Sequence, residues 1–186
     1  ILLSRFVCTT GALHLDGGDY LLFKNKDFGR QNFDDSVFIN QDVFGVKGLT
    51  TWANTDSSSD QYSGFSIGAN RHGLLCADSN VREEPPRGTN YDVLTEIALT
   101  EGTDVKTAVE AIQHALSVES YWCANLILVD PSVVAVVEIK GSELHCSHHP
   151  GRATRTNHHV HFGASVSDHD VATSADRFNW SSRRLS

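Results

Sequence analysis

Cys8 is the residue best placed to do chemistry. It is followed by Thr9 and Thr10 in a short run rich in β-branched and apolar types, FVCTTGALH at 6–14. A thiol attacks an acyl carbon as its thiolate, so a nucleophilic Cys needs a base and a lowered pKa. Were Cys8 the first residue of a mature chain, its own α-amine, with an ordinary pKa of about 7.7–8.0, could be that base. Nucleophile and base would then belong to one residue, and no distant His would be required. Asp27 could hold that amine in position. The plainer alternatives are a buried thiol packing as a small hydrophobe for Cys8 and a solvated strand-end carboxylate for Asp27.

A rival constellation lies late in the chain. Seven of the ten histidines fall between 145 and 169, namely His145, His148, His149, His158, His159, His161 and His169, with Asp168 and Asp170 beside the last. A strand through 159–161 would put His159 and His161 on one face, a geometry that metal sites use. The alternative is polar residues on exposed strands and loops, and neither HExxH nor a tight Cys/His quartet is present. No metal and no cofactor is therefore expected.

The elements that must position these residues follow from pattern and turn chemistry. DGGD at 16–19 separates FVCTTGALH from YLLFKNKDF (20–28), which predicts a β-hairpin carrying Cys8 on one strand and Lys24, Asn25 and Asp27 on the other. One or two strands are expected in 36–54, and a second hairpin joins YSGFSIGAN to HGLLCADSNV through Asn70–Gly73. EEPPRG (83–88) is a break. From residue 90, apolar positions recur at three- and four-residue spacing (Val93, Leu94, Ile97, Ala98; Val105, Ala108, Val109, Ile112, Leu116). Two amphipathic helices are predicted, separated at Glu101-Gly102, with Thr103 or Asp104 capping the second. Strands return as CANLILVD, VVAVVEI and ELHCSHH, and RFNWSSRRLS reads as the opening of an amphipathic helix that stops early. The near-continuous apolar strands indicate burial on both faces. Two stacked sheets with helices outside, or a two-layer α/β sandwich, fit this α+β pattern equally.

Composition bounds the rest. The 186 residues suit one domain. A net charge of −8 argues against nucleic acid as a partner. No apolar run is long enough for a membrane-spanning helix. Cysteines at 8, 76, 123 and 146 form no CxxC pair; reduced thiols are expected, with a disulfide between two of the later three as the alternative. The chain lacks Met altogether, so a processed chain or a fragment of a longer one is expected. Few cysteines and no signal peptide lean cytoplasmic. A homo-oligomer stays open.

Several segments also resemble, in order, the choloylglycine hydrolase and penicillin acyltransferase group of N-terminal-nucleophile (Ntn) hydrolases. CTTGALHLDGGDYLLFKNKDFG is similar to the group's opening, Cys-Thr-Thr, a hairpin, then Asn-x-Asp, here Asn25-Lys26-Asp27. GANRHGLLCADSNV resembles its Gly-x-Asn-x-x-Gly-Leu hairpin with an Asn beyond it, here Asn80. CANLILVDPSVVAVVEIKG resembles its central strand pair, ATRTNHHV its Arg-Thr-Asn-His segment (Arg155 to His158), and TSADRF its Ser-x-x-Arg segment at Arg177. The resemblance implies an α+β, αββα sandwich of two stacked, mainly antiparallel sheets between helical layers, incomplete at its C-terminus. It implies a single domain over 8–186, with 1–7 as a propeptide remnant.

The roles it implies are Cys8 as nucleophile, its α-amine as base, and Asp27 as the group positioning that amine. Asn157 would donate to the tetrahedral oxyanion, with Asn80 or a backbone N–H as second donor. Lys24 and Asn25 would contribute to the oxyanion or substrate site. Arg177 would bias the thiol toward its thiolate, with Arg183 and Arg184 as competitors for that role. Choloylglycine hydrolases typically carry Arg about two residues before the Asp of Asn-x-Asp, where this chain has Lys24, Asn25 and Lys26; Lys keeps the charge without the planar fork, which points away from bile-salt-like substrates. Pocket lining in the group comes from loops such as 29–36 and 54–62. The partner implied is a small-molecule amide or acyl substrate. Because Val7–Cys8 is an amide as written, activity implies self-cleavage there; the residue before the Cys is often Gly in such members, and the β-branched Val7 would slow attack. Two other functions stand beside this one: an Ntn-fold binding domain without catalysis, and a metal hydrolase built on the late histidines.

Overall fold

In the computed structural model the described residues are 7–27, 36–50, 61–81, 87–163 and 168–185, and the side chains at 7, 27, 48–50, 61–63 and 168–171 lie outside that description. The first hairpin forms as its turn chemistry requires, β1 (Val7–His14) against β2 (Tyr20–Asp27). Gly17 and Gly18 both take positive φ, 97° and 92°, in the DGGD turn, a region closed to most side chains. β1 also pairs with β10 (Arg152–Arg155), giving a three-stranded antiparallel sheet in the order β10-β1-β2.

The second sheet has seven antiparallel strands in chain order: β3 (Ser36–Ile39), β4 (Val43–Thr50), β5 (Gln61–Asn70), β6 (Leu75–Asn80), β7 (Tyr121–Val129), β8 (Val134–Gly141) and β9 (Glu143–His149). Successive side chains of β7 serve both faces. Leu126 and Leu128 meet the helices, while Ile127 and Val129 face the small sheet, where they pack with Ala12, Val134, Val136 and Ala153.

The helices are α1 (Asp92–Glu101) and α2 (Val105–Val118). They bury Leu94, Ala98, Leu99, Ala108, Ile112 and Leu116 on the outer face of the large sheet. Of the two expected caps, Asp104 takes the role: its carboxylate accepts from the Thr107 N–H at 2.8 Å, completing a capping box. A third helix, α3 (Asp168–Arg184), covers the outer face of the small sheet. It starts well before RFNWSSRRLS, so that segment is the second half of a helix and not its opening. The layers run helix, sheet, sheet, helix, the αββα alternative of the two that periodicity left open.

One irregularity matters for the site. β5 and β6 pair only from Ile67↔Ala77 to Ala69↔Leu75, and β6 runs on beside β7 while β5 follows β4 through two register shifts. The large sheet therefore opens between β5 and β6 at one end. Gly64, at φ 108°, lies at this opening, where a Cβ would come within 2.3 Å of the Asp92 backbone. Gly64→Ala is expected to cost about 1–3 kcal/mol or more through backbone strain and that clash, read as a lowered denaturant midpoint; an unchanged midpoint would contradict this packing.

Candidate active site

Cys8 is placed where the small sheet lies over the opening in the large one, and it is 6% exposed. Its main-chain groups are held by side chains from remote segments. The Cys8 N–H donates to Asn157 Oδ1 at 2.8 Å, and Arg177 Nη1 donates to the Cys8 carbonyl at 2.5 Å. Arg177 Nη2 also donates to Asn157 Oδ1 at 3.0 Å, so the three residues close a ring of hydrogen bonds. Asn157 Nδ2 donates to the Asn80 carbonyl at 2.7 Å, leaving its second N–H for another acceptor. Of the three arginines considered, Arg177 reaches Cys8, whereas Arg183 and Arg184 are exposed on α3, and Arg184 lies over the Trp180 ring.

Lys24 approaches from β2. It opposes Thr10 in the register while Lys26 opposes Cys8, so Lys24 and Cys8 are diagonal neighbours on the inner face of the small sheet. Its ammonium enters the opening, donating to the Ser66 carbonyl at 3.0 Å and to Asp78 Oδ1 at 2.7 Å, with both charged side chains buried. The Thr95 hydroxyl of α1 donates to Asp78 Oδ2 at 3.1 Å, and the Thr10 hydroxyl to the Asp78 carbonyl at 3.0 Å. Burial works to lower the Lys24 pKa, but the negative charges of Asp78 and Cys8 outweigh it and the net direction is upward. The stability contributed by the raised Lys24 pKa is then complete below the ordinary lysine pKa and is lost as pH rises through the raised value. Tyr91, at the start of α1, shares a side-chain hydrogen bond with Asn80; burial, with the charges of Asp92, Asp78 and Cys8, pushes its phenol well above the usual range.

The segment carrying Asn157 is anchored from several sides. Asn157 N–H donates to Ser174 Oγ at 2.8 Å, and Asn125 Nδ2 donates to the carbonyls of Thr156 and His158, each at 3.0 Å. The Ser79 hydroxyl donates to the Thr156 carbonyl at 2.9 Å. Buried Glu138 accepts from the N–H groups of Val160 and His161 at 3.0 and 2.9 Å. His158 Nδ1 lies 2.8 Å from Ser174 Oγ, and burial with the Arg155 guanidinium pushes its pKa down. Such satisfied buried networks fix a segment's geometry.

Cys8, Lys24, Asn80, Asn157 and Arg177 are thus brought together. Asn25 is not: it lies on the outer face of β2, lining an apolar groove of about 580 Å³ under α3 with Thr9, Phe23, Trp180 and Leu185. The backbone of Asp27 opposes Val7 in the hairpin, and its side chain lies outside the described residues, as do residues 29–35 and 54–60 of the two pocket loops. His159 and His161 do not share a strand face. Residues 157–163 form no strand; His159 is buried, its Nε2 3.1 Å from the Ala124 carbonyl, while exposed His161 stacks on His145 with centroids 3.5 Å apart. Among the described residues no three His, Cys, Asp or Glu side chains converge as metal ligands would. All four cysteines are free thiols.

Reading by pattern missed Asp78, Thr95, Tyr91, Ser174, Asn125 and Glu138. Two left a signal. Asp78 is a charge within a strand, directly after the apolar run LLCA (74–77), and Ser174 stands three residues before Arg177, on the same helix face.

A cysteine at the start of a strand in an αββα sandwich, its main-chain nitrogen gripped by a remote side chain, places the chain in the Ntn-hydrolase class of folds. It belongs to the acyl-coenzyme A:6-aminopenicillanic acid acyl-transferase family, whose model matches residues 14–179. Among solved structures, a mutant conjugated bile acid hydrolase from Clostridium perfringens is similar in fold, with a TM-score of 0.56 and 16% identity over 92% of this chain and 57% of that one. Penicillin V acylase from Agrobacterium tumefaciens aligns at TM-score 0.39 and 14% identity, over 76% of this chain and 49% of that one. This chain thus spans a little over half the length of the bile acid hydrolase. No curated protein sequence matches it. No helix among the described residues is long and apolar enough to cross a membrane.

Proposed function

We propose that the protein is a cysteine amidohydrolase or acyltransferase that opens a linear or non-peptide C–N amide through a thioester on Cys8. The observation that carries this reading is the pairing of Asn157 with the Cys8 nitrogen and Arg177 with its carbonyl. Strand groups normally find partners in the ladder; side chains 149 and 169 residues away aimed at one residue's backbone indicate that its main-chain nitrogen has work to do.

Maturation would precede catalysis. The Cys8 thiolate attacks the Val7 carbonyl, the C–N bond breaks as the Cys8 nitrogen takes a proton, and water resolves the thioester. Residues 1–7 leave as a carboxylate, and Cys8 gains a free thiol and α-amine. That amine keeps the Asn157 Oδ1 contact, joined by Asp27 in its expected role. It takes the thiol proton as sulfur attacks the substrate carbonyl and returns it to the leaving amine. The free N–H of Asn157 supplies one oxyanion donor, and Lys24 and Arg177 favour the thiolate. Water or a second amine then accepts the acyl group.

Bile-salt conjugates, β-lactam side chains, N-acyl lipids and short peptides are the substrate types to compare. The test is amine release from such a panel, with the mass of the Cys8 peptide followed under acid quench. An acyl mass increment on Cys8 alongside released amine is expected. A cleaved, folded chain that acylates on no member of the panel would favour the binding-domain alternative.

A further inference from the structure

We propose that Asp78 is a positioning residue that acts through Lys24, holding its ammonium in the opening between β5 and β6 so that the cation stays fixed beside the Cys8 sulfur. The inference rests on Cys8 being the nucleophile and adds to that reading a residue from the large sheet.

The geometry is specific. Just beyond the point where the β5–β6 ladder stops, the Ser66 carbonyl accepts from Lys24. Asp78 belongs to the strand parity that faces the helices, with Leu74 and Cys76 in the helix-side core. Lys24 therefore reaches through the sheet to meet it, spanning from the small sheet to the helical layer. Thr95 and Thr10 lock the acid from both sides, one on its second carboxylate oxygen and one on its carbonyl. A lysine has three donors on a flexible stem and holds no direction by itself. Two fixed acceptors, the Ser66 carbonyl and Asp78 Oδ1, remove that freedom.

The site needs such an arrangement because the cation is buried. An unpaired ammonium in this place would be desolvated and driven to lose its proton. A neutral amine would then face the thiol and stabilise the thiolate far less. The charged and titratable groups around Cys8 are Lys24 and Lys26 from β2, Asp78 from β6, Tyr91 and Asp92 from α1, and Arg177 from α3; Arg155 and Glu138 lie beyond Thr10. Among these, Asp78 is the acid in direct contact with Lys24, the buried lysine diagonal to Cys8 across the hairpin.

The test is the pH dependence of Cys8 alkylation by iodoacetamide in the full chain, read by mass on the Cys8 peptide. It needs no turnover and so does not depend on substrate choice. Asp78→Asn is expected to move the midpoint of the profile up by about one pH unit, and Asp78→Glu to restore most of it. Lys24→Met should give the same shift, and Lys24→Met/Asp78→Asn no more than either single change. Should Asp78→Asn fail to fold, Lys24→Met and the double variant carry the test together: adding Asp78→Asn to Lys24→Met should leave the midpoint where Lys24→Met puts it. A midpoint that stays at the wild-type value in folded variants, or shifts that add in the double variant, would overturn the proposal. Failure of the nucleophile reading would look different: a normal alkylation shift with no acyl-enzyme on Cys8 in wild type.

Discussion

Cys8→Ala is expected to abolish amide turnover, lowering it by about 10⁴-fold or more, with no change in the denaturant midpoint beyond about 1 kcal/mol. The size of the effect follows from the double duty proposed for this residue, as the attacking sulfur and, once freed, as the nitrogen that moves the proton. Alanine retains the backbone that Asn157 and Arg177 hold, so the ring of hydrogen bonds and the hairpin register should survive. The lost sulfur is small, and the site lies at the rim of the core, which keeps the cavity term modest. Activity, followed by amine release, and stability, followed by urea unfolding, should therefore separate cleanly. Residual turnover at a tenth of wild type or above would remove Cys8 from the chemistry and return attention to other groups.

Asn157→Ala carries the second largest expectation, a fall in kcat of about 10²–10³-fold. This side chain orients the Cys8 nitrogen through Oδ1, receives Arg177, and fixes the Asn80 backbone through Nδ2. Asn157→Asp refines the test, since the isosteric acid keeps the acceptor for the Cys8 nitrogen and loses both N–H donors. If oxyanion donation dominates, the acid should be nearly as slow as the alanine variant, with KM little changed. If holding the nitrogen dominates, the acid should recover most of the alanine loss. Equal activity of wild type and Asn157→Ala would contradict any role for this residue at the reacting centre.

What could be read from pattern was local. The DGGD turn, the Asp104 cap and the apolar stripes through Leu94–Leu99 and Val105–Leu116 each act within a few residues, and the elements formed where those signals stood. The start of α3 was not legible, because 168–176 carries few apolar residues at helical spacing and the helix is held by polar contacts such as Ser174 and Ser181. Glu138 hid inside VVAVVEI, a stretch that reads as wholly apolar core, although its buried carboxylate fastens the segment following Asn157. The pairing of Lys24 with Asp78 depends on where two strands part, and the break in a ladder has no signature in either strand alone. Cys8 could be singled out from its own chemistry, but Asn157 and Arg177 were found through resemblance and not through spacing, since no periodicity links residues so far apart. The same limit explains Asn25: alternation along β2 sends it to the opposite face from Lys24, yet only the fold decides which face holds the site.

Release of the Cys8 amine by the chain's own chemistry is open to intact mass spectrometry of purified wild type beside Cys8→Ala. Wild type is expected to lose the mass of residues 1–7, Ile1 through Val7, while the alanine variant keeps it. Full mass in both proteins after prolonged incubation, or cleavage of both at this bond, would contradict self-processing by Cys8.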